Sequence, residues 1–196
     1  LKTILKEWRH SLAANERDLY MGFRGVQPMP STDQQRLAAQ FLQLLHIAMS
    51  AGLNNHLLTS YLLQNALQAV SAERGTALVL DESGHLVDAF MACEGEMMSV
   101  ETDSFSDVVE HGLAGWVIQN RRPALVTSTA NDPLWLRRPW DENPETSHSA
   151  IAIPIVVGGQ VRAVLTLMRP DDQRFTEQDL GLFRLVTQDS QMSLAA

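Results

Sequence analysis

By residue type, the strongest candidates for catalysis are Asp132 and the run Ser147-His148-Ser149. A serine nucleophile, a histidine base and an orienting carboxylate form the usual relay for acyl transfer. Consecutive residues seldom face one another as that relay requires, so the set argues little for catalysis. Other signatures are absent: the chain has no Gly-x-Ser-x-Gly, no Gly-x-x-x-x-Gly-Lys and no Gly-x-Gly-x-x-Gly. The six histidines, at 10, 46, 56, 85, 111 and 148, include no His-x-x-x-His pair to hold a metal. Cys93 is the single cysteine, and Glu94 and Glu96 beside it would raise its pKa and blunt its reactivity. A buried structural thiol is the simpler reading. Between Glu94 and Glu110 stand six acidic residues and no Lys or Arg, without the alternation or turn glycine of an EF-hand loop. This stretch reads as solvated surface.

Aromatic residues point to a binding site instead. Trp135 and Trp140 fall in a long irregular stretch, Ser128–Ser149, and Trp116 in a short helix before it. Tryptophan is costly to leave exposed, so these rings are expected to fold onto a sheet face. One outcome is a plain core. The other is a cavity walled by these rings, Trp116, Trp135 and Trp140, above the small residues Ala150 and Ala152, with His148 as a polar group. Arg137 or Arg138 would then stand at the rim for an anionic ligand. Arg121-Arg122 reads as a solvated helix end.

The positioning elements follow from periodicity. Two apolar runs, Ala150–Val157 and Gln160–Met168, flank Gly158-Gly159, the signature of a tight β-hairpin. The first run is apolar on both faces and reads as a strand covered on both sides. In the second, Val161, Ala163, Leu165 and Leu167 share one face, and Arg162, Val164, Thr166 and Met168 the other. Thr76–Leu80 and His85–Ala92 read as strands around an Asp81–Gly84 turn, and Ala124–Thr127 as a short strand. Helices are expected over 1–20, 34–51, 56–70, 105–111, 113–120 and 177–194, the last opened by a cap at Thr176 with an acid three residues on. Gly22–Pro30 breaks the pattern as a linker.

Composition sets limits. The chain has 196 residues, 45% of them hydrophobic, and a formal charge of −8. That suits one folded domain plus an extension and argues against a nucleic-acid surface, which needs concentrated Lys and Arg. No run approaches the roughly 20 apolar residues of a membrane span, and the first residues given show no signal-peptide pattern. The lone cysteine fits a reducing, cytoplasmic compartment. The first residue, Leu1, and the helical pattern at the end suggest a piece of a longer polypeptide.

Several segments, in order, resemble a GAF domain, the small-molecule sensor module of signalling proteins. They are Ala72–Asp81 with Gly84, Gly112-Leu113-Ala114-Gly115-Trp116-Val117 before Arg122-Pro123, Asn131-Asp132-Pro133, Ser149–Ile155 and Phe175–Leu180. The resemblance spans roughly residues 34–196. It implies an α+β fold, GAF-like and PAS-related. In such a fold the first and last strands of a central antiparallel sheet pair, terminal helices cover one face, and short helices plus a long loop cover the other, over a ligand pocket. It also implies a parallel homodimer whose terminal helices pass a signal onward. GAF-type reductases of free methionine sulfoxide use several cysteines, and this chain has one. Bilin attachment would need a pocket cysteine beside a histidine, whereas His148 is flanked by serines. The Asn-Lys-x-x-x-Phe-x-x-x-Asp-Glu pattern of cyclic-nucleotide GAF domains is missing.

The expectation is therefore residues 1–30 as a helical extension and linker, and 31–196 as a GAF-like sensory domain. That domain would be non-catalytic, bind a small ligand under the 128–149 connection through Trp116, Trp135, Arg137, His148, Ala150 and Ala152, and act on an effector domain outside this fragment. No cofactor is identified. The alternatives are a ligand-free dimerisation module, a cofactor-bound photoreceptor or redox receptor, and, last, an enzyme.

Overall fold

The structure, a computed structural model, describes residues 60, 63–64, 66–68, 70–93, 96–137, 147–181 and 183–184. The helices expected over 1–20 and 34–51, the linker, Arg138, Trp140 and the last ten residues of the final helix lie outside them.

Six strands form one antiparallel sheet: β1 (Arg74–Leu80), β2 (Leu86–Cys93), β3 (Glu96–Ser99), β4 (Ala124–Val126), β5 (His148–Val157) and β6 (Gln160–Pro170). Their order is β3-β2-β1-β6-β5-β4, so the first and last strands pair at the centre. Turn chemistry fixes the hairpins. Gly158 and Gly159 take φ of 59° and 78°, the left-handed pair that a two-residue β5–β6 turn demands. Between β1 and β2, the Asp81 carboxylate accepts the backbone N–H of Ser83 and of His85, each at 2.8 Å. Pro154 lies beyond the last β5 residue that β4 pairs, Ala152, so this strand has a neighbour on one side alone there and the missing N–H is tolerated.

Two expectations need correction. The acidic run, expected to be solvated surface, contains β3, a four-residue edge strand that pairs Phe90–Cys93, its Met97 packing on the core. Val161 does not share a face with Ala163, Leu165 and Leu167. The β5–β6 register shifts between Ile155 and Val156, pairing them with Ala163 and Val161, so Arg162 is the extra residue of a bulge. Val161 therefore joins Val164 on the opposite face.

Each sheet face carries its own core. On one, Ala77, Val79, Phe90, Ile151, Ile153, Leu165 and Leu167 meet Leu63, Leu67 and Val70 from the helix before β1, and Phe175 and Phe183 from the segment after β6. That final helix opens as expected: Asp179 Oδ2 accepts the Thr176 backbone N–H at 2.8 Å, while the Asp179 N–H donates back to Thr176 Oγ1 at 3.3 Å. On the other face, Leu78, Leu80, Ala89, Ala150, Ala152 and Val164 meet Phe105, Leu113, Ala114 and Val117. A 3₁₀ turn (Thr102–Phe105) supplies the first of these last residues and α2 (Leu113–Asn120) the other three, while α1 (Ser106–Glu110) between them packs Val108 and Val109 against the same core.

Arg169 breaks the apolar pattern of the first face at 1% exposure. Its Nε donates to the Val70 carbonyl at 2.7 Å, and Nη2 donates to the same oxygen. Nη1 faces the Asp179 carboxylate at 3.9 Å, and the guanidinium lies 4.1 Å from the centre of the Phe175 ring. Burial pushes the guanidinium pKa down and Asp179 pushes it back up. One side chain thus ties β6 to the helix ends on both sides of the sheet's central pair.

Arg169→Ala should cost about 3–5 kcal/mol, because it takes the guanidinium away from the buried Asp179 carboxylate and both donors away from the Val70 carbonyl; urea unfolding reads this directly. Asp81 should titrate below its ordinary 3.8, held down first by the His85 N–H, then by the Ser83 N–H and the His85 ring charge. Its contribution to the turn is then complete above that value and lost as pH falls through the folded pKa. Carboxyl-carbon NMR follows it, and Asp81→Asn should remove the dependence.

Candidate functional site

The second face carries a cavity of about 60 Å³ over the centre of the sheet. Its floor is Arg74, Thr76 and Leu78 of β1, Met91 and Cys93 of β2, and Thr166 and Met168 of β6. Strand alternation selects them: the intervening Ala77, Phe90, Leu165 and Leu167 belong to the opposite core. The roof is Val108 of α1, Leu113 and Ala114 of α2, and Leu134, Trp135 and Leu136 from the connection after β4.

Local chemistry holds each roof piece. α1 and α2 cross closely because residue 115 is glycine; a Cβ there would run into the Val109 carbonyl. The connection is clasped at its base. Ser128 and Ser147 share a hydrogen bond at 2.8 Å, the Thr129 N–H donates to the His148 carbonyl at 2.8 Å, and the His148 N–H donates to Thr129 Oγ1 at 2.9 Å. Past the clasp, Asp132 Oδ1 accepts the Leu134 N–H at 2.9 Å and its carbonyl accepts the Trp135 N–H at 3.1 Å. This Asx turn at Asn131-Asp132-Pro133 lays Leu134–Leu136 onto the cavity.

Of the residues expected to form the site, Trp135 alone lines the cavity. Ala150 and Ala152 lie on β5, two strands from β1, fully buried beneath α2, which packs on β5 and β6. Their small size makes room for that helix. Trp116 is a half-buried part of the same core, its ring 5.1 Å from the Arg122 guanidinium carbon. His148 opens β5, where its backbone closes the loop clasp. Arg137 is exposed, with Nη2 3.5 Å from the Ala130 carbonyl. Ser149 is fully buried on β5 and its Oγ accepts the Phe175 N–H at 2.8 Å, so this hydroxyl anchors the last helical segment. Among the described residues, no three of His, Cys, Asp and Glu converge on a metal-sized site.

The family model for the GAF domain matches residues 58–194. The chain belongs to the GAF domain family. Two solved structures show the same fold. The GAF domain of a phosphoenolpyruvate-protein phosphotransferase from Coxiella burnetii is 13% identical, with a TM-score of 0.52 over 82% of this chain and 94% of that one. Free methionine-R-sulfoxide reductase from Neisseria meningitidis, solved in complex with its substrate, is 12% identical, with a TM-score of 0.52 over 87% of this chain and 95% of that one. No curated protein matches the chain.

The GAF cavity uses residues that composition did not single out: Arg74, Thr76, Met91, Thr166 and Met168. The signal for them was present. Each lies at an alternate position of a strand whose other face was recognisably apolar, and three of the five are polar where a filled core calls for aliphatics.

Gly115→Ala tests the roof. Alanine gains about 1 kcal/mol of helix propensity over glycine, but the clash is with backbone and forces α2 off α1, at about 1–3 kcal/mol. The variant should unfold at lower urea concentration than the parent and lose Trp135 burial, read by fluorescence quenching.

Proposed function

We propose that this chain is a non-catalytic regulatory GAF module that binds a small molecule in the cavity beneath Leu134–Leu136 and relays occupancy through its terminal helices in a homodimer. The cavity carries the reading. It is mostly apolar with a few polar groups, the ordinary form of a ligand site, and it sits under a hydrogen-bonded loop that can respond to what fills it.

The absence of catalysis rests on commitments of side chains. The Ser147 and Ser149 hydroxyls and the Asp132 carboxylate are engaged in the loop clasp, the β5 anchor and the Asx turn. The Neisseria protein is by its name an enzyme on this fold. Thiol chemistry through an internal disulfide is closed to this chain, which has one cysteine. Of the helices expected to dimerise, only the start of the last lies within the described residues, so the homodimer rests on the sequence: Leu1, Ile4, Leu5, Trp8 and Leu12 form one apolar stripe at helical spacing, and Leu37, Phe41, Leu44, Leu45 and Ala48 another. Among the described residues no helix is long and apolar enough to cross a membrane.

A geometric link supports the relay. Met168 faces the cavity and its neighbour Arg169 faces the helices, gripping the Val70 carbonyl. A ligand that shifts β6 at Met168 acts one residue from that grip. It biases the helices to the extent that it binds one arrangement more tightly than another.

A second reading, a ligand-free dimerisation module, draws on the small cavity volume and on the full burial of Ala150 and Ala152. Ala114→Leu separates the two. The added side chain should fill the cavity and abolish any bound mass that native mass spectrometry detects on the parent chain, with the dimer kept. A parent chain that carries no bound mass and gains stability from Ala114→Leu favours the ligand-free module; a monomer in either chain removes the helix relay.

A further inference from the structure

Among the described residues the wall of the cavity is uncharged except at one place. None of those that line it is a carboxylate, in a chain whose net charge is −8, and the one charged residue among them is Arg74. Arg74 begins β1 on the cavity face, paired across the strands with Cys93 on one side and Met168 on the other, and both of these also line the space. Other arginines that the fold draws in are matched: Arg162 faces Glu82 at 3.9 Å and Arg169 faces Asp179 at the same distance. Arg74 is half-buried and has no ion pair or hydrogen bond from its guanidinium among the described residues. An arginine that borders an apolar space with no ion pair among the described residues can take a bidentate partner, and carboxylate is the group whose two oxygens match its fork.

Volume limits the rest of the molecule. An ordered water needs about 10–15 Å³ of such space, and an engineered cavity near 150 Å³ takes a benzene ring. At about 60 Å³ this one accepts a body smaller than that ring, which excludes nucleotides and tetrapyrroles while the roof is closed. The described lining also disfavours an α-ammonium group, since among the described residues it offers no carboxylate to meet one and a second cation would sit near Arg74.

We propose that the cavity binds a short-chain aliphatic monocarboxylate, its carboxylate paired with Arg74 and its carbon chain against Leu78, Met91, Leu113 and Trp135. This rests on the ligand-binding reading above and names the class of ligand.

The test is calorimetric titration of the whole chain with isovalerate, isovaleramide and leucine at matched ionic strength. Isovalerate should bind, and isovaleramide, of the same shape without the charge, should bind about tenfold to a hundredfold more weakly. Leucine should not bind. Arg74→Gln should erase the difference between acid and amide while leaving the unliganded melting temperature near that of the parent, and Arg74→Lys should restore part of it. Equal affinity for acid and amide in the parent overturns the Arg74 pairing and leaves the cavity as a neutral apolar site. Tighter binding of leucine overturns the exclusion of an amino group. If neither acid nor amide binds and native mass spectrometry shows no retained mass, the cavity reading falls along with the proposal.

Discussion

The fold turns on a single buried cation. Arg169 sits on the central antiparallel pair and is covered on the face where both helical segments pack. Taking a guanidinium out of water costs several kcal/mol, and one carboxylate at 3.9 Å with no hydrogen bond from Nη1 does not return it all. What makes the arrangement intelligible is the third partner. A helix end leaves carbonyls without donors, and at Val70 the Arg169 fork supplies them, with its positive charge at the end of the helix that favours it. An apolar residue would fill the same volume and leave the Val70 carbonyl buried and unpaired. The cation is therefore a positional device: it sets where the helix stops relative to β6, and the Leu63, Leu67 and Val70 contacts follow from that stop.

The same strand serves the other face by alternation. Because side chains alternate in β6, Thr166 and Met168 look into the cavity while Leu167 and Arg169 look toward the helices. Cavity and helix junction are therefore neighbours through one strand rather than ends of a long chain of contacts. The bulge at Arg162 lies at the opposite end of β6, near the Gly158-Gly159 turn. It brings Val161 onto the cavity face without changing the register where Met168 and Arg169 sit.

Sequence reading succeeded where one residue type has one conformational use. Gly158-Gly159, Asp81 with Gly84, and Thr176 with Asp179 each name their local structure because the turn or cap accepts little else. Strand composition then identified β1, β2, β5 and β6. The site was less legible for a physical reason. Small residues at Ala150 and Ala152 signal that something sits above them, but composition alone does not distinguish a ligand from a helix, and here it is α2. His148 attracted attention as an imidazole and is held by its backbone. β3 escaped because two methionines between glutamate and serine carry too little β-branched or alternating character to stand out.

The position of the cavity follows from how short the covering elements are. α1 has five residues and α2 eight, and α2 is taken up by β5 and β6. With a rise of about 1.5 Å per residue, α1 spans too little to cover β1 and β2 as well. What Val108, Leu113 and Ala114 leave open over β2, β1 and the end of β6 is closed by Leu134–Leu136, three residues hung from an Asx turn rather than locked in a hydrogen-bonded helix. A lid of that kind costs less to displace than a helix packed along its whole length. The cavity thus lies under the part of the roof best able to move, and its floor is the strand pair that carries Arg169 on the reverse side.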